Sequence, residues 1–167
     1  MQWIKHLGGN VLAVVSTPQK AEVAKRLGAD HTILSSEDIA ARVRAVCKSG
    51  VDVVYDSVGK DTFMASLDSL RVRGMMVTYG NASGPVPDFP PLLLSQKGSL
   101  FLTRPRLDHY IPDRASFEAN ATDVFAGLQS FLKVEKPERF ALSDAAAAHA
   151  RLESRATTGA LVLDCTK

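Results

Sequence analysis

The stretch Val11-Leu12-Ala13-Val14-Val15-Ser16-Thr17-Pro18-Gln19-Lys20 decides how this chain is read. Its first half is a short apolar run rich in β-branched residues, the pattern of a buried strand. Thr17 offers a hydroxyl to cap a following helix, and Pro18 loses nothing at a first helical position, where a backbone N–H would be unpaired anyway. That helix is expected to close at Leu27-Gly28, with Gly28 in a left-handed C-terminal cap. Upstream, residues 1–10 read as the end of another helix. The chain is therefore expected to begin inside a first βα unit, without that unit's strand and glycine-rich turn.

The alternation continues downstream. His31-Thr32-Ile33 is a short strand. Ser36-Glu37-Asp38 opens a helix with Ile39, Val43 and Val46 on one face, closed by Ser49-Gly50. Val51-Asp52-Val53-Val54-Tyr55-Asp56 is a strand, and 61–70 is a helix with Phe63, Leu67 and Leu70 on one stripe. Gly74 is expected to turn the chain into the strand Met75-Met76-Val77-Thr78-Tyr79, followed by the loop Gly80-Asn81-Ala82-Ser83-Gly84-Pro85. Leu100-Phe101-Leu102-Thr103 is one more strand. Strands alternating with helices argue for a doubly wound α/β fold of Rossmann type, a parallel sheet with helices on both faces.

Beyond Pro105 the pattern changes. Residues 113–132 read as a long helix with Phe117, Val124, Leu128 and Phe131 facing inward. Ser143 is placed to cap a helix running to about Leu152, and Leu161-Val162-Leu163 is a last strand. This tail does not continue the alternation and is read as another layer or domain; the expected division is into a Rossmann-type part lacking its first strand, 1–132, and a C-terminal segment, 133–167.

Composition narrows the function. The 167 residues allow one ordinary domain, and 46% hydrophobic content suffices for a core. A net charge of +2, with scattered Lys and Arg, gives no nucleic-acid footprint. No run of about 18 apolar residues occurs, so no membrane span is expected. The N-terminus has no signal-peptide plan, and Cys47 and Cys165 stand apart, without CxxC spacing or histidine-rich context. A cytoplasmic setting is expected, and a cysteine-rich zinc site is not. His6, His31, His109 and His149 are isolated from one another and from the cysteines.

In a doubly wound sheet, ligands bind outside the carboxyl ends of the strands. At the end of the second strand, an acid binds the ribose 2′-hydroxyl of NAD and repels a 2′-phosphate. Here that place is Val15-Ser16-Thr17, with no acid, and Lys20 follows within reach. Neutral hydroxyls and a lysine suit the 2′-phosphate of NADPH. The same residues also read as a solvated first turn, which is the commoner meaning of such a spacing. Ser57 and Gly59, like Gly80, Asn81 and Ser83, follow strand ends, where glycine lets a flat ligand approach the backbone. Each glycine alone equally makes a turn. No Gly-x-Gly, Walker or Gly-x-Ser-x-Gly sequence is present, and no Tyr is followed four residues later by Lys.

Taken together, several strings resemble the quinone oxidoreductase branch of the medium-chain dehydrogenase/reductases, the zeta-crystallin-like proteins. They are Val53-Val54-Tyr55-Asp56-Ser57-Val58-Gly59-Lys60-Asp61-Thr62, the run from Gly74 through Gly84, Gly98-Ser99-Leu100-Phe101-Leu102-Thr103-Arg104-Pro105, and Leu152-Glu153-Ser154-Arg155-Ala156-Thr157-Thr158-Gly159. The resemblance runs from about residue 2 to residue 164. It implies a C-terminal, cofactor-binding part of a zinc-independent enzyme that moves hydride from NADPH to a quinone or a related electron-poor acceptor.

By resemblance, Lys20 meets the 2′-phosphate and Arg155 contacts the cofactor. Asn81 and Ser83 face the nicotinamide side, and Phe101, Leu102 and Thr103 close over it. Where the family carries Ile-Asn-Tyr after the third strand, this chain has Ile33-Leu34-Ser35, so the tyrosine contact is either lost or replaced by the Ser35 hydroxyl. The last segment resembles the return to a catalytic domain. Resemblance further implies a homodimer through the edge strand near 99–104 and a small-molecule acceptor, while the composition points to neither nucleic acid nor membrane as partner. Two rivals stand beside this reading. One is a catalytically inert cofactor- or partner-binding fragment. The other is a single-stranded RNA binder, for which the chain lacks a basic, aromatic-lined stripe.

Overall fold

The computed structural model describes residues 1–154 and 157–166. Along the chain run α1 (Gln2–His6), β1 (Leu12–Val15), α2 (Pro18–Arg26), β2 (His31–Leu34), α3 (Ile39–Val46), β3 (Val51–Asp56) and α4 (Phe63–Ser69). There follow β4 (Leu70–Thr78), α5 (Leu92–Gln96), β5 (Phe101–Thr103), α6 (Arg114–Ser130), β6 (Glu138–Ala141), α7 (Ala145–Glu153) and β7 (Leu161–Asp164). Among the described residues every strand pairing is parallel: β1 with β2, β3 with β4, β4 with β5, and β6 with β7. This is the expected α/β class. Among the described residues the strands form three separate sheets, ordered β1-β2, β3-β4-β5 and β6-β7, rather than one. No ladder joins β1 to β3, so each has hydrogen-bonding groups of one edge unpaired by the other.

Local chemistry sets most of these elements. The Thr17 side chain accepts a hydrogen bond from the Lys20 N–H at 3.3 Å, with Pro18 in the first turn of α2. Gly28 has φ +99°, the left-handed conformation that ends the helix cheaply. Asp38 caps α3 by accepting from the Ala41 N–H at 2.9 Å. Asp30 accepts from the Val11 N–H at 2.7 Å and pairs with Lys5, tying α1 to the start of β1.

The main core lies on one face of β3-β4-β5. Phe63 and Leu67 of α4 meet Leu70, Met76 and Leu100, with Val54, Leu93 and Leu102 packed around them. The helical stripe read from the sequence is the stripe that is buried. A second, smaller cluster joins Val11, Ala24 and Ala29 with Ile4, Ala13 and Val15. On the opposite face of the three-stranded sheet, the register row Val53–Met75–Phe101 stays 39%, 40% and 51% exposed. The helix layer therefore buries Met76 completely and half-buries Val54 and Leu102 beside it, while the Val53–Met75–Phe101 row stays open.

Several expectations need correction. The fourth strand starts at Leu70, not after Gly74. Its pairing with β3 jumps from Val51↔Leu70 to Val53↔Met75, so residues 71–74 bulge out opposite Asp52. Arg73 accordingly sits at φ +58°. Phe117, Val124 and Leu128 of α6 do not face inward: they are exposed, and Gly127 is the one residue of that helix that is buried. Amphipathic spacing marks a face able to pack, but packing needs a partner layer. Phe131 does find one, edge-to-face with Trp3 and stacked on His6. Ser143 lies in a short 3₁₀ turn, Leu142–Asp144, and caps nothing; α7 begins after Asp144 without a side-chain cap. The strand Glu138–Ala141 was not anticipated. It pairs with β7 and makes the C-terminal segment a small sheet of its own.

Candidate functional site

Parallel strands in register bring their carboxyl ends level, and the anticipated residues gather there in two groups. The first belongs to β1 and β2, whose last pair is Val15↔Leu34. Ser16 follows β1, Ser35 follows β2, and both are exposed. The Ser35 N–H donates to the Val15 carbonyl at 2.8 Å, which locks the two strand ends together. Lys20 stands in the first turn of α2, where no acidic residue occurs. The amino end of a helix carries partial positive charge from its unpaired N–H groups. A helix start, a lysine and hydroxyls form a donor set that fits a phosphate ester; the Glu37 carboxylate at the end of β2 is taken up by the Leu34 N–H at 2.7 Å and by Arg42.

The second group lies at the ends of β3, β4 and β5, in the pairs Asp56↔Thr78 and Val77↔Thr103. Two loops meet there, one after β3 and one after β4. The Ala82 N–H donates to the Ser57 carbonyl at 3.2 Å, and the Ser83 N–H to the Val58 carbonyl at 2.8 Å. The Lys60 N–H in turn donates to the Gly84 carbonyl at 3.1 Å. A Cβ on Gly80 would lie 2.2 Å from the Ser57 carbonyl oxygen, and one on Gly59 would lie 2.6 Å from the Gly84 carbonyl oxygen. Glycine is thus required at both places by close backbone approach.

Ser83 has a use the sequence did not reveal. Its hydroxyl donates to the Val58 carbonyl at 2.9 Å and accepts from the Asp61 N–H at 3.0 Å. The hydroxyl is engaged in joining the loops. The Asn81 side chain is exposed and lines a cleft of about 560 Å³ together with Thr78, Phe63, Phe89, Leu102 and Arg104. Arg104 braces its rim, donating to the Thr78 hydroxyl at 3.2 Å and to the Gly80 carbonyl at 3.1 Å. Phe101 is half-exposed on the open sheet face, whereas Leu102 reaches the cleft. Arg155 lies outside the described residues.

Asp56 was read only as a strand end, yet it is the most embedded acid of the site, at 4% exposure. One carboxylate oxygen accepts from the Val58 and Gly59 N–H groups at 2.7 and 3.0 Å. The other accepts from the Thr62 and Ser66 hydroxyls at 2.7 and 2.8 Å. Burial by itself would raise its pKa. The four donors outweigh burial and hold the carboxyl below its ordinary range. A signal was present in the sequence: an acid closing a strand, a glycine three residues on, and two hydroxyls four residues apart on the next helical face. Among the described residues, no group of three or more His, Cys, Asp or Glu is placed to hold a metal ion.

Comparison with known proteins bears on this site. The sequence pattern of a family described as zinc-binding dehydrogenase matches residues 1–112. Quinone oxidoreductase of Pseudomonas aeruginosa is 45% identical over 97% of this chain and 51% of its own length. A 2-haloacrylate reductase from Burkholderia is 44% identical over 96% of this chain and 50% of its own length. The crystal structure of Escherichia coli quinone oxidoreductase complexed with NADPH superimposes with a TM-score of 0.92 at 41% identity, over 97% of this chain and 51% of that one. The chain thus spans about half the length of the curated relatives it matches.

Proposed function

The chain belongs to the zinc-binding dehydrogenase family, and from that premise we propose that it is the cofactor-binding part of an NADPH-dependent quinone oxidoreductase. The observation that carries this reading is the end of β1. A capped helix start with Lys20 and no acid in its first turn suits a 2′-phosphate and leaves a 2′-hydroxyl without its usual carboxylate partner. The resemblance of the whole chain to quinone oxidoreductases supports it further.

When bound, NADPH supplies the hydride for an acceptor with an electron-poor carbonyl or alkene. The residues of this chain bind and orient. Ser16 and Lys20 hold the 2′-phosphate, and Ser35 lies beside the adenosine end. Ser57 and the backbone of Gly80, Asn81 and Ser83 bear on the nicotinamide side, and Phe101, Leu102 and Thr103 border it. Arg155 joins the cofactor contacts by resemblance. No side chain serves as a nucleophile; the contribution of the protein is alignment of the two reactants. We place the reaction outside zinc chemistry, since Cys47 and Cys165 stand unpaired and no clustered donor set accompanies them among the described residues.

The setting follows the same reading. It is cytoplasmic, and no helix among the described residues is long and apolar enough to cross a membrane. The segment 133–167 serves as the return to a catalytic part, consistent with the sheet it forms by itself. Two copies pair through β5, which has β4 on one side and, among the described residues, no strand on the other.

The test is titration of the chain with NADPH and with NADH, followed by quinone-dependent oxidation of NADPH. Tighter binding of NADPH is expected. Equal affinity for the two cofactors, or none for either, overturns the reading. Binding without turnover selects the inert binding module instead, an alternative that the unjoined sheets of β1 and β3 favour.

A further inference from the structure

We propose that Asp56 is a positioning residue for the cofactor loop: its buried carboxylate shapes the 57–60 turn, and that turn holds the 80–84 loop in place. The inference rests on the assignment of that loop to the nicotinamide side.

The chain of contacts is continuous. Asp56 fixes the Val58 and Gly59 amides with one oxygen and ties the start of α4 through Thr62 and Ser66 with the other. This turns the Ser57 and Val58 carbonyls toward the second loop, where they accept from the Ala82 and Ser83 amides. The Ser83 hydroxyl closes the junction from the outside by bridging the Val58 carbonyl and the Asp61 amide. Arg104 holds the Gly80 carbonyl from the β5 side. The 80–84 loop is short of apolar anchors of its own, since Asn81 and Ala82 are exposed and Ser83 and Gly84 are only half-buried. Its place is therefore set by hydrogen bonds, several of which pass through the turn that this one carboxylate holds.

The charge itself has a purpose in this arrangement. A carboxylate is an acceptor at both oxygens, so it can receive two amides and two hydroxyls together. An asparagine of the same shape keeps one acceptor oxygen and presents an NH₂ to the others. The turn can then no longer be held from both ends. Among the described residues no lysine or arginine pairs with Asp56; its partners are neutral donors from the turn and α4. Its contribution is directional rather than a matter of net charge.

Two readouts on the full chain test this. Amide hydrogen exchange reports local opening at Lys60, Ala82, Ser83 and Gly84, with Met76 and Val77 of β4 as the internal reference. NADPH titration reports the site. Asp56→Asn should speed exchange at the four loop amides by about tenfold or more, as expected for a lost charge-assisted bond, with the β4 reference little changed. It should weaken NADPH by a similar factor. Asp52→Asn, on the same strand but exposed and paired with Arg71, should leave both readouts unchanged. If Asp56→Asn does not fold, Thr62→Val removes one donor to the same carboxylate and should give the same pattern at smaller amplitude. Faster exchange spread equally over loop and β4, or a loosened loop with unaltered NADPH affinity, overturns the positioning role. Failure of the unmodified chain to bind NADPH overturns the underlying assignment and this inference with it, and is seen before any variant is made.

Discussion

Lys20 and Asp56 are the residues on which the proposed chemistry depends, for opposite reasons. Lys20 acts, on the proposed reading, through what binds beside it. Lys20→Ala should weaken NADPH by about 1.5–3 kcal/mol, the range for a hydrogen bond to a charged group, and leave NADH almost untouched. The ratio of the two dissociation constants, before and after substitution, checks this. Asp56 keeps its charge inward. Its folded pKa lies below the unfolded value, so protonation favours the unfolded chain. Its contribution is complete above about pH 4, the unfolded carboxylate value, and is lost as pH falls through the lower folded pKa. Urea unfolding between about pH 2 and 6 should show this acid slope reduced in Asp56→Asn. Thr17, Gly28 and Asp38 were legible in the sequence because caps act on neighbours three or fewer residues away. The role of the Ser83 hydroxyl was not, since its acceptor, Val58, belongs to a different loop.

At the scale of elements, the crossing of the two loops leaves no space for a side chain. Gly80→Ala would place a Cβ 2.2 Å from the Ser57 carbonyl oxygen, against backbone that cannot rotate away. The cost should be about 1–3 kcal/mol of stability, the usual range for overpacking, together with weaker NADPH binding. Urea denaturation and cofactor titration measure the two effects. The short edge strand β5 supports a different prediction. Phe101→Pro removes a backbone donor from it and should convert the expected homodimer to monomers or aggregates, as read by light scattering. Wild type monomeric at high concentration contradicts the dimer. The stripe Phe63, Leu67 and Leu70 was legible because the helix and strand it joins are consecutive and pack on each other. The stripe on α6 had the same spacing, and there the inference failed. Periodicity identifies a face, whereas burial requires an opposing surface.

For the whole molecule, the consequence is exposed apolar surface. Val14 of β1, the row Val53–Met75–Phe101 and the residues Phe117, Val124, Phe125 and Leu128 of α6 all remain exposed. Unpaired strand edges and apolar patches drive association in water. The chain should therefore bind a hydrophobic dye such as ANS while keeping native far-ultraviolet dichroism, and should associate increasingly with concentration. Val53→Lys, on the exposed side of β3, should lessen association without altering the dichroism spectrum. No dye binding by the unmodified chain would contradict this.

The amino-acid sequence alone determined the order of strands and helices apart from α5 and β6, most of the caps and turns, and the parallel α/β class. Each of these follows from interactions among residues close along the chain. It also placed the candidate cofactor residues at strand ends, because a strand's carboxyl end is readable wherever an apolar run gives way to Ser or Gly. Only the tertiary structure decided which edges meet. It separated β1 from β3, added the β6–β7 sheet and left α6 uncovered. It also joined the 57–60 and 80–84 loops through a carboxylate whose importance lies in four donors. Those outcomes depend on pairings between distant segments, and no local pattern specifies the partner that a strand edge, a helix face or a buried charge will find.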